Sequence, residues 1–151
     1  MKIALGSDHA GVAARLRIAQ ALRKLGAECL DLGCEADQPV DYPDKAAEVA
    51  HLVAGGRCGF GILICGTGIG MSIAANKIRG IRAAVCHNDY TTEMARKHNH
   101  ANILCLGARV LAIDDMERLV GIWLSTQPEG GRHDRRVEKI HQIEQLDPLK
   151  P

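Results

Sequence analysis

The chain has few aromatic residues: one Phe, two Tyr and one Trp among 151 residues. With so few stacking platforms, a groove for single-stranded nucleic acid is not expected. The formal net charge is +1, which excludes a strongly basic nucleic-acid binder and an acidic disordered tail. No apolar run approaches the length of a membrane span, so we expect no membrane partner. The apolar start of the chain turns polar too soon for a signal peptide.

The six cysteines include no Cys-x-x-Cys pair. Several lie in apolar, strand-like runs, where a free Cys behaves as a small hydrophobic side chain. We therefore expect no disulfide framework and a reducing, cytoplasmic location. The composition, 46% hydrophobic and 25% charged, is typical of a soluble globular protein. The length predicts a single domain over residues 1–151, with a frayed tail at about residues 146–151.

Short apolar runs alternate with amphipathic stretches along the chain. The apolar runs predict strands at residues 2–6, 28–32, 61–64, 82–86 and 102–106. The stretches predict helices at residues 10–25, 44–54, 71–77, 89–97, 113–124 and 132–145. The third strand is apolar throughout, which is typical of a parallel strand covered on both faces. The alternation predicts an α/β fold, a Rossmann-like three-layer α/β/α sandwich with a five-stranded parallel sheet.

Polar residues follow the carboxyl ends of the five predicted strands, where open parallel sheets bind ligands. In strand order they are Asp8 and His9, Asp41 and Tyr42, the loop 65–70, His87 to Asp89, and Arg109. Their convergence predicts a ligand site at this edge of the sheet. Two alternatives remain open at this point: Asp8 is also a favoured helix N-cap, and Tyr42 could pack within its loop.

The loop Gly66-Thr67-Gly68-Ile69-Gly70 is the strongest local motif. It matches neither the dinucleotide fingerprint nor a P-loop, because no Gly-Lys-Ser/Thr follows it. Its glycines permit a tight turn with inward N–H groups, and the next helix adds its own unpaired N–H groups. This predicts an anion-binding nest, with a plain strand–helix turn as the alternative. Cys65 stands immediately before the loop, where a helix N-terminus favours a thiolate base or nucleophile; a buried structural cysteine is the alternative.

A second set of candidates lies late in the chain. Arg132 and Arg136 share a helix face and could grip a phosphate; a solvated basic face and nucleic-acid contact are the alternatives. His98 precedes the fifth strand, so within one subunit it lies on the order of 15 Å or more from Cys65. If both serve one site, a second subunit supplies His98, which predicts a homodimer with shared active sites.

Histidine could also indicate a metal site. Such a site would recruit His87, Asp89, His98 and His100, but no metal-ligand spacing supports it, so we predict none. A capping or core role is the commoner use of such histidines.

Seven segments together resemble the type B ribose-5-phosphate isomerases, a family that includes the galactose- and allose-6-phosphate isomerases. The segments are Ser7 to Gly11, Asp41 to Asp44, Cys65 to Lys77, Gly80 to Ala84, His98-Asn99, Gly107 to Arg109 and Gly130 to Val137. The thirteen-residue stretch that begins at Cys65 is the most specific. The resemblance implies a three-layer fold, a dimer or dimer of dimers, no metal or other cofactor, and interconversion of an aldose phosphate with a ketose phosphate.

The resemblance also implies residue roles. Cys65 would move a proton between C1 and C2, and His98 would assist ring opening with Thr67 and Asp8 nearby. The enediolate oxygens would be bound by the loop residues Gly66, Gly68, Ile69 and Gly70. The sugar would be contacted by Tyr42 and Asn99. The phosphate would be bound by His9, Arg109, Arg132 and Arg136. Some relatives use a glutamate base a few positions later, where this chain has Ala74 or a neighbour, so it follows the cysteine branch.

Ribose 5-phosphate is the expected substrate, with a six-carbon sugar phosphate as the alternative. A binding module without catalysis is the alternative of a different class, and it would need neither Cys65 nor His98. No role is assigned to His87 or His133.

Overall fold

Five parallel strands form one sheet in a computed structural model that describes residues 1–36 and 38–146. The strands are β1 (Lys2–Ser7), β2 (Glu28–Asp31), β3 (Phe60–Cys65), β4 (Ala83–Val85) and β5 (Ile103–Gly107). Their spatial order is β2-β1-β3-β5-β4. The chain reverses its direction of travel across the sheet between β1 and β3, so a crevice is expected at the carboxyl ends of these two strands.

Six α-helices cover both faces of the sheet. They are α1 (Val12–Lys24), α2 (Tyr42–Ala54), α3 (Ile69–Ala75), α4 (Asp89–Asn99), α5 (Ile113–Ser125) and α6 (Arg132–Gln145). One buried cluster joins the sheet to α1 and α5 through Leu22 and Trp123. The other joins it to α2 and α3 through Val49 and Met71. The predicted three-layer α/β/α sandwich is confirmed, and no helix in the described residues is long and apolar enough to cross a membrane.

Two helices begin earlier than predicted. Helix α2 starts at Tyr42 rather than residue 44, because Pro43 fits the first turn, where its missing N–H costs no hydrogen bond. Helix α3 starts at Ile69 rather than residue 71, because Gly68, with φ +79°, completes the preceding turn. The first predicted helix instead begins with a 3₁₀ turn, His9–Gly11.

Helix α3 ends at Ala75, two residues earlier than predicted, because the Asn76 side chain is hydrogen-bonded to β4. The Asn76 side chain accepts a hydrogen bond from the Ala83 N–H at 2.8 Å and donates one to the Ala83 carbonyl at 2.9 Å. This amide pair takes the place of a neighbouring strand at the edge of the sheet. The tail predicted for residues 146–151 lies, beyond Leu146, outside the described residues.

The loop that follows β2 is fastened to α1 by a buried arginine. Arg15 donates to Asp31 Oδ1 at 2.7 Å and to the Cys34 carbonyl at 3.0 Å. Gly33 passes directly beside the Arg15 guanidinium, so an added Cβ would require the arginine side chain to shift. These contacts anchor the start of the long loop that carries the chain to Tyr42.

Removing part of a buried side chain from β3 should destabilise the protein strongly. Ile62 is 0% exposed, so we expect Ile62→Ala to lower the free energy of unfolding by about 2–5 kcal/mol. Leu16 on α1 is 50% exposed, and Leu16→Ala should change the free energy of unfolding by less than about 0.5 kcal/mol. Urea unfolding followed by circular dichroism measures both. Equal effects of the two substitutions would contradict this placement of the core.

Candidate active site

Cys65 ends β3 with its sulfur held by the loop that follows it. The side chain is 4% exposed, and the Gly68 N–H donates to Sγ at 3.2 Å. The Ile69 N–H donates to Oγ1 of Thr67 at 3.3 Å, which closes the turn. An N–H donor aimed at sulfur stabilises a thiolate more than a thiol, because the negative charge strengthens the hydrogen bond. The predicted combination of cysteine and glycine-rich turn is therefore present as one compact unit.

This loop lies directly against the end of β5, with no space for side chains between them. A Cβ added at Gly68 would lie 3.1 Å from the backbone carbon of Leu106. A Cβ added at Gly107 would lie 2.9 Å from the backbone of Thr67. Gly107 thus matters for the close approach of the loop. The motif Gly107 to Arg109 contains this glycine, but its role in the approach was not predicted, although a glycine at a strand end indicates such an approach.

Asp8 and the turn after β1 pack beside Cys65. The Asp8 N–H donates to the Ile64 carbonyl at 3.2 Å, and Oδ1 of Asp8 accepts from the Ala10 N–H at 2.9 Å. The capping role left open for Asp8 is therefore confirmed, and it positions the carboxylate next to the end of β3. His9 follows as an exposed residue at the same edge.

Tyr42 and Arg109 reach the glycine-rich loop from two other elements. A Cβ added at Gly70 would lie 2.6 Å from Cε2 of Tyr42, so the tyrosine ring rests on this glycine. The Arg109 N–H donates to the Gly66 carbonyl at 3.0 Å, and its side chain passes next to Gly66. The structure thus brings together the candidates that follow β1, β2, β3 and β5.

The remaining candidates form a second group where α4 ends and α6 begins. The rings of His98 and His133 stack with their centroids 4.0 Å apart and their planes 4° from parallel. Glu129 Oε2 lies 3.5 Å from His98 Nε2, and Arg132 Nε donates to His133 Nε2 at 3.2 Å. This second group is completed by three exposed candidates, Asn99, Arg132 and Arg136.

The two groups lie at opposite edges of the sheet within one subunit. Cys65 pairs in register with Gly107, the last residue of β5, whereas α4 leads into the first residue, Ile103. The four steps between Ile103 and Gly107 span about 13 Å of strand. One chain therefore does not bring His98 to Cys65.

His87 belongs to neither group, whereas His100 adjoins the second group. The His87 N–H donates to Oγ1 of Thr91 near the start of α4. His100 ends α4 in the left-handed conformation, with φ 47°, and its Nε2 lies 3.2 Å from Asp134 Oδ1. The capping alternative is thus confirmed for His100.

In the described part of the chain, one cluster offers three possible metal-ligating atoms, from His98, Glu129 and His133, all within 4.8 Å of one another. Ring nitrogens bind metals along lone pairs in the ring plane, at about 2 Å. Because the two rings are parallel and 4.0 Å apart, an ion in the plane of one ring would lie outside the plane of the other. We therefore assign no metal to this cluster.

All six cysteines are free, and burial raises the pKa of four of them. Burial raises the pKa of Cys86 to about 11. Burial also raises the pKa of Cys105, which lies near Cys65 on the same face of the sheet. The pKa values of Cys29 and Cys58 are raised by burial as well. These four thiols are hydrophobic side chains of the fold, as expected for cysteines in apolar runs.

Comparison with known proteins agrees with this geometry. The model of the Ribose/Galactose Isomerase family matches residues 3–140. The chain belongs to this family and is an isomerase, and the resemblance to its type B ribose-5-phosphate members is confirmed.

Three relatives illustrate the similarity. Ribose-5-phosphate isomerase B of Escherichia coli is 48% identical over 144 residues, which cover 95% of this chain and 97% of that protein. The structure of ribose-5-phosphate isomerase B of Clostridium thermocellum has a TM-score of 0.94 and 52% identity, covering 96% of this chain and 98% of that one. D-erythrulose-4-phosphate isomerase of Pectobacterium atrosepticum is 42% identical and covers 93% of each chain.

Adding a methyl group at Gly68 should separate the sulfur from its hydrogen-bond donor. In Gly68→Ala the new Cβ would press on the Leu106 backbone, so we expect slower alkylation of Cys65 by iodoacetamide. Gly26→Ala is a matched control, because Gly26 has φ +73° and open space around it. Both variants should lose about 1–2 kcal/mol of stability from the left-handed backbone. Peptide mass spectrometry measures the alkylation rate, and an unchanged rate in Gly68→Ala would contradict the assignment.

Proposed function

We propose that this chain interconverts ribose 5-phosphate and ribulose 5-phosphate, with Cys65 as the base that moves the proton. The observation that carries the proposal is the Gly68 N–H lying 3.2 Å from Cys65 Sγ. It supports a thiolate beside a loop of backbone N–H groups. The names of the Escherichia coli and Clostridium thermocellum relatives support ribose 5-phosphate as the substrate.

The proposed proton transfer acts on the open-chain sugar. The Cys65 thiolate removes the proton from C2, and the electron pair moves into a C1–C2 double bond to give an enediolate. The proton returns to C1, while the hydroxyl proton on O2 is lost and O1 is protonated, which gives the ketose. N–H groups of the loop stabilise the negative oxygens as they develop, with Tyr42 contacting the sugar and Thr67 close by. A positioned base of this kind typically contributes about 10²–10⁴-fold to the rate.

Ring opening and part of the phosphate binding are assigned to the second group of residues. His98 would assist opening of the furanose ring, and Asn99 would contact the sugar. Arg132 and Arg136 would bind the phosphate together with His9 and Arg109 of the first group. Phosphate contacts far from the reacting carbons supply binding energy that orients the substrate.

We propose a homodimer in which one subunit supplies Cys65 and the other supplies His98. The separation of the two groups by a strand length supports this arrangement, since one chain holds an incomplete site. A groove of about 400 Å³ adjoins the second group and is lined by Asn99, Ile140 and Ile143. Ile143 is 67% exposed, so a second copy would cover apolar surface here.

Sugar phosphates of other lengths are the competing substrates. The family description includes galactose, and the Pectobacterium atrosepticum relative is named for a four-carbon phosphate. A comparison of kcat/KM for four-, five- and six-carbon sugar phosphates decides between them. The reaction uses no cofactor in this proposal, and six free thiols support a reducing compartment, the cytoplasm.

Replacement of the proposed base should remove catalysis and leave binding in place. We expect Cys65→Ala to lower kcat with ribose 5-phosphate by at least about 10²-fold, with little change in KM. Cys29→Ala should retain activity, because Cys29 lies on β2 at a distance from the loop. Formation of ribulose 5-phosphate and uptake of deuterium from heavy water are the measurements. Turnover of Cys65→Ala near that of the unmodified enzyme would remove Cys65 as the base.

Mixing two inactive variants should restore activity if sites are shared between subunits. A Cys65→Ala subunit retains His98, and a His98→Asn subunit retains Cys65, so each mixed dimer contains one complete site. At equal amounts and random exchange, symmetry predicts about one quarter of the unmodified activity. Native mass spectrometry verifies subunit exchange. If exchange is complete and activity does not return, the shared-site arrangement is wrong.

A further inference from the structure

His98 lies near the end of α4 with a third of its side chain exposed, a position in which an unsupported ring would change rotamer freely. His133, the second residue of α6, is 3% exposed and lies parallel to the His98 ring at 4.0 Å. Val137, one turn later, is buried as well, so this face of α6 is fixed by packing. His133 therefore presents a rigid ring surface on which His98 rests.

The charged groups around this pair differ from one ring to the other. Arg132 of α6 donates to Nε2 of His133, which must be unprotonated to accept this hydrogen bond. Glu129, from the segment between α5 and α6, places a carboxylate oxygen 3.5 Å from Nε2 of His98. Lys97 of α4 interacts electrostatically with Glu129, and Arg136 of α6 acts on His133. The hydrogen bond from Arg132 thus disfavours a proton on Nε2 of His133.

The pKa of His133 agrees with this division of charge. Burial lowers it, and the neighbouring His98, Arg132 and Arg136 lower it further, against the opposing effect of the Glu129 carboxylate. Two imidazolium rings 4.0 Å apart would repel each other, so one neutral ring permits the other to hold a proton. The stack therefore has one ring suited to proton transfer and one suited to support.

We propose that His133 is a positioning residue for ring opening, which it serves by stacking on His98 while remaining neutral. The inference rests on the proposed function, in which His98 assists ring opening. In that step the C1–O4 bond of the furanose breaks and O4 takes the proton from His98. The electron pair of the O1–H bond forms the C1 carbonyl, and that proton leaves to water. His133 touches none of these atoms and acts through the orientation and protonation of His98.

Two reactions of the same enzyme separate ring opening from proton transfer at carbon. Ribose 5-phosphate enters as a furanose and must be opened. Ribulose 5-phosphate forms no furanose, because its C5 oxygen carries the phosphate, so exchange of its C1 proton in heavy water tests Cys65 without ring opening. We expect His133→Ala to lower kcat with ribose 5-phosphate by about 10- to 100-fold and to leave KM and C1 exchange unchanged.

The shape-preserving variant distinguishes stacking from other roles. His133→Phe keeps a flat, uncharged ring under His98, so it should recover most of kcat and the same dependence of kcat/KM on pH. His51→Ala, which changes an exposed histidine on α2, should behave like the unmodified enzyme. Circular dichroism and thermal unfolding verify that each variant is folded.

Three outcomes would overturn the role of His133. The first is a His133→Phe variant as slow as His133→Ala. The second is an equal loss of C1 exchange and of isomerisation in His133→Ala, which indicates a merely structural role. The third is loss of the pH dependence in His133→Phe, which would place the proton on His133. Failure of the proposed function gives a different result. Cys65→Ala would then retain both isomerisation and C1 exchange, although the stack of His98 on His133 is intact in that variant.

Discussion

The hydrogen bond from the Gly68 N–H to the Cys65 sulfur depends on a close approach between a loop and a strand end. The loop can bring this N–H to 3.2 Å only because Gly68 adopts a left-handed conformation against the Leu106 backbone. Gly107 allows the same approach from the other side, where a Cβ would press on Thr67. Asp8, Tyr42 and Arg109 then pack or hydrogen-bond against this unit. The geometry of the site thus follows from the lack of side chains at two positions.

The connections of the sheet explain why the remaining site residues lie elsewhere. A crossover helix between parallel strands returns the chain to the amino edge of the sheet, so its last residues lie far from the carboxyl edge. His98 and Asn99 occupy that place at the end of α4, and α6 begins beside them with Arg132. A chemistry that needs both edges at once requires two copies of the chain, which is the basis of the proposed shared site.

Side chains of the same type have different surroundings in this protein. Burial raises the pKa of Cys86, directly after β4, and of Cys105 on β5, because it disfavours their charged forms. Cys65 on the same sheet instead receives a hydrogen bond from the Gly68 N–H at its sulfur. In the histidine pair, Arg132 donates a hydrogen bond to His133, whereas the Glu129 carboxylate lies 3.5 Å from His98 and also acts on His133. Chemically identical side chains are thereby assigned different roles by their neighbours.

Much of the fold and the candidate residues of both groups could be predicted from the sequence. The alternation of apolar runs with amphipathic stretches determined the parallel α/β/α sandwich, because each strand of a parallel sheet must be covered by the helices that connect it. Cys65, the glycine-rich loop and the family resemblance were also evident, since they lie in short contiguous motifs. The separation of His98 from Cys65 followed from the direction of the fifth strand alone.

The tertiary structure alone decided the contacts between residues distant in the chain. The end of α3 depends on the Asn76 amide pairing with Ala83, and the stack joins His98 to His133 across 35 positions. Two further contacts also join residues distant in the chain. Gly107 lies close to Thr67, and Arg15 donates hydrogen bonds to Asp31 and Cys34. Periodicity and motifs describe neighbours along the chain, whereas these contacts exist only after the elements have packed and their side chains share one space.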